Sequence, residues 1–190
     1  MNLRVPVIDI HTPRLLLRRF TMDDAPAMYR NWASDPEVVR FLTWPVHADV
    51  ETSREVLANW IAAYETGDFP CWGIELSSLG EVIGSISIVR RDDSVAAVEV
   101  GYCIGSRWWH QGIMTEALGG LIDHIFANSS INRIGAVHDT RNPHSGAVMA
   151  KAGMRLEGIS RQSVMSMAGL GNAAHYAILR GDGREPGFCL

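Results

Sequence analysis

The segment Glu99-Val100-Gly101-Tyr102-Cys103-Ile104 has the composition of a strand. After Gly105-Ser106-Arg107 it runs into Trp108-Trp109-His110-Gln111-Gly112-Ile113-Met114-Thr115-Glu116-Ala117, where a helical rhythm begins. A strand that ends where a helix starts exposes the free N–H groups of the first helical turn and the positive end of its dipole. A loop with Gly112 at its closest approach can therefore cradle a diphosphate through main-chain amides, with no lysine required. The same glycine also suits a plain turn before an amphipathic helix, and on this segment alone both readings stand. The other common nucleotide loops are missing: the sequence has no Gly-x-x-x-x-Gly-Lys-Ser/Thr run, and no Gly-x-Gly-x-x-Gly follows a strand.

These residues need a scaffold, and hydrophobic periodicity outlines one. Met114, Ala117, Leu118, Leu121, Ile122, Ile125 and Phe126 keep the i, i+3, i+4, i+7 spacing of a helix packed along its length. Before it, β-type runs at 71–76, 82–89 and 96–104, separated by short polar turns, predict an antiparallel meander. Residues 14–20 predict a strand feeding a helix through Ala25, Met28, Tyr29 and Trp32, with capping side chains at 21–24. Asp35-Pro36 starts a short second helix carrying Val38, Val39, Phe41 and Leu42; residues 43–48 connect to a third over 50–64, ended by Gly67-Asp68. Downstream, 133–139 predicts a strand, Asn142-Pro143 opens a helix that stops at Gly153, and 154–160 and 175–180 supply two last strands. The expected fold is mixed α/β, with a mostly antiparallel central sheet of about six or seven strands flanked by helices. Residues 1–180 are expected to form one domain, and 181–190 a frayed tail.

Bulk properties narrow the function. A chain of 190 residues that is 47% hydrophobic can fill one substantial core. Cys71, Cys103 and Cys189 are widely spaced, which argues against a disulfide framework or a structural metal, so no metal site is expected. A net charge of −4 without a basic run argues against nucleic acid as a partner. No uninterrupted apolar stretch reaches the roughly eighteen residues of a spanning helix, and the N-terminus lacks a signal-peptide pattern. No membrane partner and a cytoplasmic location are the expectation.

Read together, several pieces resemble the GNAT superfamily of N-acetyltransferases, particularly the branch that acetylates ribosomal-protein N-termini. They are Thr12-Pro13-Arg14-Leu15-Leu16-Leu17-Arg18, Gly101-Tyr102, Gln111-Gly112-Ile113-Met114-Thr115-Glu116-Ala117, Asn142-Pro143-His144-Ser145, Lys151-Ala152-Gly153-Met154, Glu157-Gly158 and Tyr176-Ala177-Ile178-Leu179-Arg180. The resemblance covers residues 12–180 and implies acetyl-CoA as co-substrate, held at a splayed central strand. It places the pantetheine arm beside Tyr102, Cys103 and Ile104, and the diphosphate against Trp109, His110, Gln111, Gly112, Ile113, Met114 and Thr115. The family loop pattern is Gln or Arg, two residues, Gly, one residue, then Gly or Ala. Trp109, Gly112 and Met114 occupy those positions here, so only Gly112 fits strictly, and His110 stands where a glycine is common.

The reaction so implied has three needs: a neutral amine, a donor for the developing oxyanion and a proton for the departing thiolate. A lysine amine titrates near about 10.4 and an α-amino group near about 7.7–8.0, so a base must act. Glu99 is the favoured candidate, as base and in the acceptor cleft; a structural ion pair is its alternative role. His138 and Asp139, after the next strand, could also face the acceptor, and strand alternation adds Glu75. The resemblance implies an oxyanion donor from the backbone near Cys103 or Ile104. Many relatives protonate the thiolate with a tyrosine seven residues after the asparagine of the Asn-x-x-Ser helix, but here that position is Met149, which cannot donate. Ser145 is then the implied donor, with helix capping as its alternative role, and Asn142 an implied pantetheine contact that also suits an N-cap. Phe41 and Trp44 are implied to line the acceptor pocket, whereas Trp32 and Trp60 suit core packing. The implied activity is acetyl transfer to a primary amine, on a protein N-terminus or a small molecule, by direct attack in a ternary complex. The alternative is a non-catalytic acyl-CoA-binding or sensing module of the same fold. The acceptor's identity and a homodimer stay open.

Overall fold

The structure, a computed structural model, describes residues 3–66 and 69–183. Its strands are β1 (Ile10–His11), β2 (Leu15–Arg18), β3 (Cys71–Leu76), β4 (Glu81–Asp92), β5 (Ala97–Ile104), β6 (Arg133–Asp139), β7 (Arg155–Ser166) and β8 (Gly169–Leu179). They form one eight-stranded sheet in the order β1-β2-β3-β4-β5-β6-β8-β7. Every neighbouring pair is antiparallel except β5 and β6. The strand beyond the expected count is β1, two residues paired with β2, too short to carry an alternation signal.

The helices are α1 (Ala25–Met28), α2 (Pro36–Val39), α3 (Val50–Thr66), α4 (Ile113–Asn128) and α5 (Pro143–Lys151). The parallel β5–β6 pair requires a crossover, and α4 supplies it. Ala117, Leu118, Leu121, Ile122 and Ile125 have no exposed surface and pack with Leu17, Trp72, Ile74 and Ile86 in one core. On the opposite face, Phe20, Met28, Trp32, Leu57 and Val82 form the second core under α1 and α3. Trp60 packs against that cluster, with its ring 5.4 Å from Phe20.

Four elements differ from expectation. The helix expected through Trp32 begins as a 3-10 turn, Met22–Asp24, and after α1 continues as a wide turn, Tyr29–Ala33. The second helix stops at Val39, so Phe41 and Leu42 lie beyond it. The last two strands are much longer than the periodicity showed, because β7 is an edge strand exposed along nearly its whole length and its sequence alternates in nothing. The expected helix end at Gly67-Asp68 and the tail beyond residue 183 lie outside the described residues.

One departure from regular pairing sets up the site. β5 and β6 pair from Ala97↔Arg133 to Val100↔Ala136 and no further. Beyond that point β5 stays with β4 as far as Ile104, and β6 stays with β8 as far as Asp139. The sheet therefore opens between residues 101–104 and 137–139, leaving one backbone edge of each strand without a strand partner.

Candidate active site

The loop leading into α4 is fixed from several sides. Trp108 is buried in the core, the Trp109 indole N–H donates to the Ile104 carbonyl at 2.9 Å, and Gln111 Nε2 donates to the Arg107 carbonyl at 3.0 Å. His110 and Gly112 both take left-handed backbone angles, φ 60° and 72°. For glycine that conformation is free; for histidine it costs roughly 1 kcal/mol. This explains the family preference for glycine at His110, and the imidazole instead meets His144 of α5 edge-on, ring centroids 4.6 Å apart.

Gly112 is the N-cap of α4 and supplies no side-chain cap. Ile113 and Met114 are 3% and 6% exposed, with their side chains in the core. Only their backbone is left to face a ligand, so a methionine in place of a small residue at 114 leaves the loop clear. Glu116, in the first turn, is 3% exposed and accepts from Thr12 Oγ1 at 2.7 Å, Arg14 N at 2.8 Å and Arg14 Nε at 2.6 Å. Its charge suits the helix dipole but opposes an anion at the same end; the Arg14 guanidinium offsets it and donates through Nη1 to the Gln111 carbonyl at 3.0 Å. A methyl on Gly112 would come 3.7 Å from Arg14 Nη2. Arg14, Arg107, His110 and His144 thus give a basic surround in a chain of net negative charge.

Across the opening, Asn142 is the N-cap of α5, yet its side chain makes no capping hydrogen bond, so the capping role weighed for it is not the one observed. The Ser145 hydroxyl lies 3.0 Å from the Tyr102 hydroxyl, and Tyr102 Oη is 3.1 Å from the Ser145 carbonyl. Burial pushes the Tyr102 phenol well above its ordinary pKa, partly offset by the Ser145 hydrogen bond. The phenol therefore keeps its proton at neutral pH. Met149 is 1% exposed and sits in the core. Cys103 points to the other face, 3.4 Å from the Ser85 hydroxyl; burial raises its pKa, so it is no nucleophile at neutral pH.

Of the carboxylates, Glu99 is half-buried on β5, between Arg90 of β4 and Gly135 of β6, and alternation puts it on the same face as Cys103. Asp139 corrects an expectation: its side chain has no exposed surface, accepts from Arg141 N, Nε and Nη2, and is held below the usual carboxylate range by those bonds. It cannot reach an acceptor. Glu75 is likewise committed, accepting from Arg18 Nε at 2.6 Å. His138 bonds through Nδ1 to the Asp139 carbonyl.

Phe41 and Trp44 are half-buried. The Arg141 guanidinium sits 5.9 Å from the Phe41 ring, and Arg141 also donates to the carbonyls of Ala168 and Gly169. Trp44 packs 5.4 Å from the His47 ring. The Met167 N–H donates to the Leu42 carbonyl at 2.9 Å, so the turn after α2 and the β7–β8 turn meet at the rim. Arg14, Glu116 and Tyr176 fall in segments that carry the resemblance, but the Arg14–Glu116 pairing and the sealing of Asp139 by Arg141 become visible only in the folded chain.

Residues 14–155 match the model of the family described as acetyltransferase (GNAT) domain. The chain is 30% identical to the uncharacterized N-acetyltransferase YoaA of Bacillus subtilis, over 80% of this chain and 86% of that protein. It is 29% identical to the ribosomal-protein-serine acetyltransferase of Escherichia coli, over 64% and 68%. Among solved structures it resembles Mycobacterium smegmatis RimJ in complex with CoA-disulfide, with a TM-score of 0.80 and 25% identity over 91% of this chain and 88% of that one.

Proposed function

The chain belongs to the GNAT acetyltransferase family, and from that premise we propose that it moves an acetyl group from acetyl-CoA to a primary amine by direct attack in a ternary complex. The observation that carries this reading is the opening of the sheet beyond Val100↔Ala136, with the uncapped first turn of α4 and the Tyr102–Ser145 hydroxyl pair beside it. The residues suit the ligand: free amides of Ile113, Met114 and Thr115 for a diphosphate, loop contacts from Trp109, His110, Gln111 and Gly112, an uncommitted Asn142 carboxamide, and, for an amide-bearing arm, a strand edge at Tyr102, Cys103 and Ile104 that lacks a strand partner, its Ile104 carbonyl taken by the Trp109 indole. The RimJ relative, whose structure holds a CoA-disulfide, supports the same ligand class.

When bound, acetyl-CoA supplies the activated thioester. As the N–C bond forms and the C–S bond breaks, sulfur leaves with the bonding pair, and one proton must be lost from nitrogen and one gained by sulfur. Glu99 takes the nitrogen proton, directly or through water. A backbone N–H at Cys103 or Ile104 faces the oxyanion, and the Ser145 hydroxyl serves the sulfur. Tyr102 and Glu99 alternate to opposite faces of β5, which puts the thiol chemistry on the α5 side and the amine on the other, toward Phe41 and Trp44.

The acceptor is proposed as a protein N-terminus, by likeness to the ribosomal-protein-serine acetyltransferase, with small-molecule amines as the competing class. Met149, in place of a tyrosine, favours a second reading, a non-catalytic acyl-CoA-binding module. Thiol release from acetyl-CoA, followed with peptides bearing free N-termini and with polyamines, separates the two. Amine-dependent thiol release with a matching acetylated product by mass spectrometry is expected. Binding of acetyl-CoA without release in any arm, or after incubation with cell extract, overturns the enzymatic reading.

A further inference from the structure

We propose that Tyr102 is a positioning residue for Ser145: by donating a hydrogen bond to the serine oxygen it turns the serine's own proton toward the departing sulfur, and water reprotonates the serine once that proton has passed, the amine's proton having gone to Glu99. This rests on the acetyl-transfer reading above. The phenol oxygen is 3.0 Å from Ser145 Oγ and 3.1 Å from the Ser145 carbonyl. A carbonyl only accepts, and each hydroxyl has one proton to give. Two arrangements satisfy the trio. In one, Tyr102 donates to the carbonyl and Ser145 donates to Tyr102. In the other, Tyr102 donates to Ser145 Oγ and the serine proton is released toward the open sheet.

Exchange between them rotates two hydroxyl protons and moves no heavy atom. Negative charge growing on a sulfur before Ser145 favours the second arrangement, because the serine oxygen then accepts one hydrogen bond while donating another, and such chains strengthen cooperatively. Burial keeps the phenol protonated, so it acts as a donor across the neutral range.

The neighbourhood holds the pair in register. A methyl on Gly146, the residue after Ser145, would lie 2.6 Å from His138 Nε2 and 3.3 Å from Tyr176 Oη, so the bare glycine lets α5 settle onto β6 and β8. The His138 and Tyr176 rings pack 5.7 Å apart beneath it. Met149, one turn further along α5, points into the core. The hydroxyl that α5 lacks there is supplied to its first turn from β5.

The test compares wild type, Tyr102→Phe, Ser145→Ala and the double variant. It measures kcat and the KM for acetyl-CoA with a peptide acceptor, and turnover with the acetyl thioester of 4-nitrothiophenol, whose thiolate is a far weaker base. Thermal melting and acetyl-CoA binding establish that each variant is folded. Tyr102→Phe should lower kcat about tenfold and leave KM within about twofold; Ser145→Ala should lower kcat about a hundredfold, within the usual range for an acid catalyst. The double variant should match Ser145→Ala, and both deficits should shrink with the nitrothiophenyl ester, which a merely structural role would not produce. Normal turnover in Tyr102→Phe, or losses that multiply in the double variant, overturns the role of Tyr102 while leaving that of Ser145 intact. Normal turnover in Ser145→Ala removes the serine and its partner together. A wild type that binds acetyl-CoA and releases no thiol refutes the acetyl-transfer reading itself and this inference with it.

Discussion

Glu116 and Gly112 show how single residues hold the proposed diphosphate loop. Glu116 is buried and accepts three hydrogen bonds, two of them from Arg14. Glu116→Ala strands those donors and frees the loop carbonyl's partner. Arg14 is about half-exposed, so the loss should sit below the full cost of a broken buried pair, at about 2 kcal/mol by urea unfolding. A stability change under about 0.5 kcal/mol would show that the pair is not needed. Gly112→Glu should weaken acetyl-CoA binding more than about a hundredfold by calorimetry. It forces a side chain into φ 72°, sets a carboxylate beside the proposed phosphate position and competes for Arg14. Unchanged affinity would refute the assigned loop. Gly112, Asn142 and Ser145 could be proposed from the sequence because their chemistry is local or sits in a short motif. The Arg14–Glu116 pair and the sealing of Asp139 by Arg141 could not, since both depend on what the folded chain brings alongside.

The elements that cover the proposed acceptor side carry a titratable weak point. His47 is buried just before α3, with Nδ1 2.8 Å from the hydroxyl of the fully buried Ser53, and burial pushes its pKa below the ordinary value. The unfolded chain therefore takes up this proton at higher pH than the folded one does. Stability is independent of this group above the unfolded value of about 6.5, and is lost as pH falls from there toward the folded value. His124, buried with Nε2 bonded to the Pro6 carbonyl, shifts the same way. Urea midpoints should fall between pH 7 and pH 5, and His47→Asn should flatten part of that slope; an unaltered slope would clear His47. Among elements, the 71–104 meander was legible as runs of β-type residues and α4 through its helical apolar spacing, because these elements are buried in the cores on the two faces of the sheet. β7 was expected only as far as residue 160, because an edge strand exposed on both faces needs no alternation, and the helix through Trp32 was read as regular because hydrophobic spacing does not register a change from 3-10 to α to a wider turn.

Across the molecule, the mixed, mostly antiparallel sheet and its membership of the GNAT family were both visible in the order of motifs. The point at which β5 and β6 part was not, because the strand sequences continue past it without a break. No helix among the described residues is long and apolar enough to cross a membrane. What unites the proposed chemistry is that opening: the diphosphate at the first turn of α4 and the thioester between residues 101–104 and 137–139. Titration of the isotope-labelled protein with acetyl-CoA, followed through its backbone amide resonances, addresses this most directly. The largest shifts should fall at residues 110–115 and 101–104, with smaller ones near Asn142 and Ser145. Shifts gathered instead at the arginine-lined groove of Arg4, Arg19, Arg90 and Arg91, or no shifts at all, would contradict it.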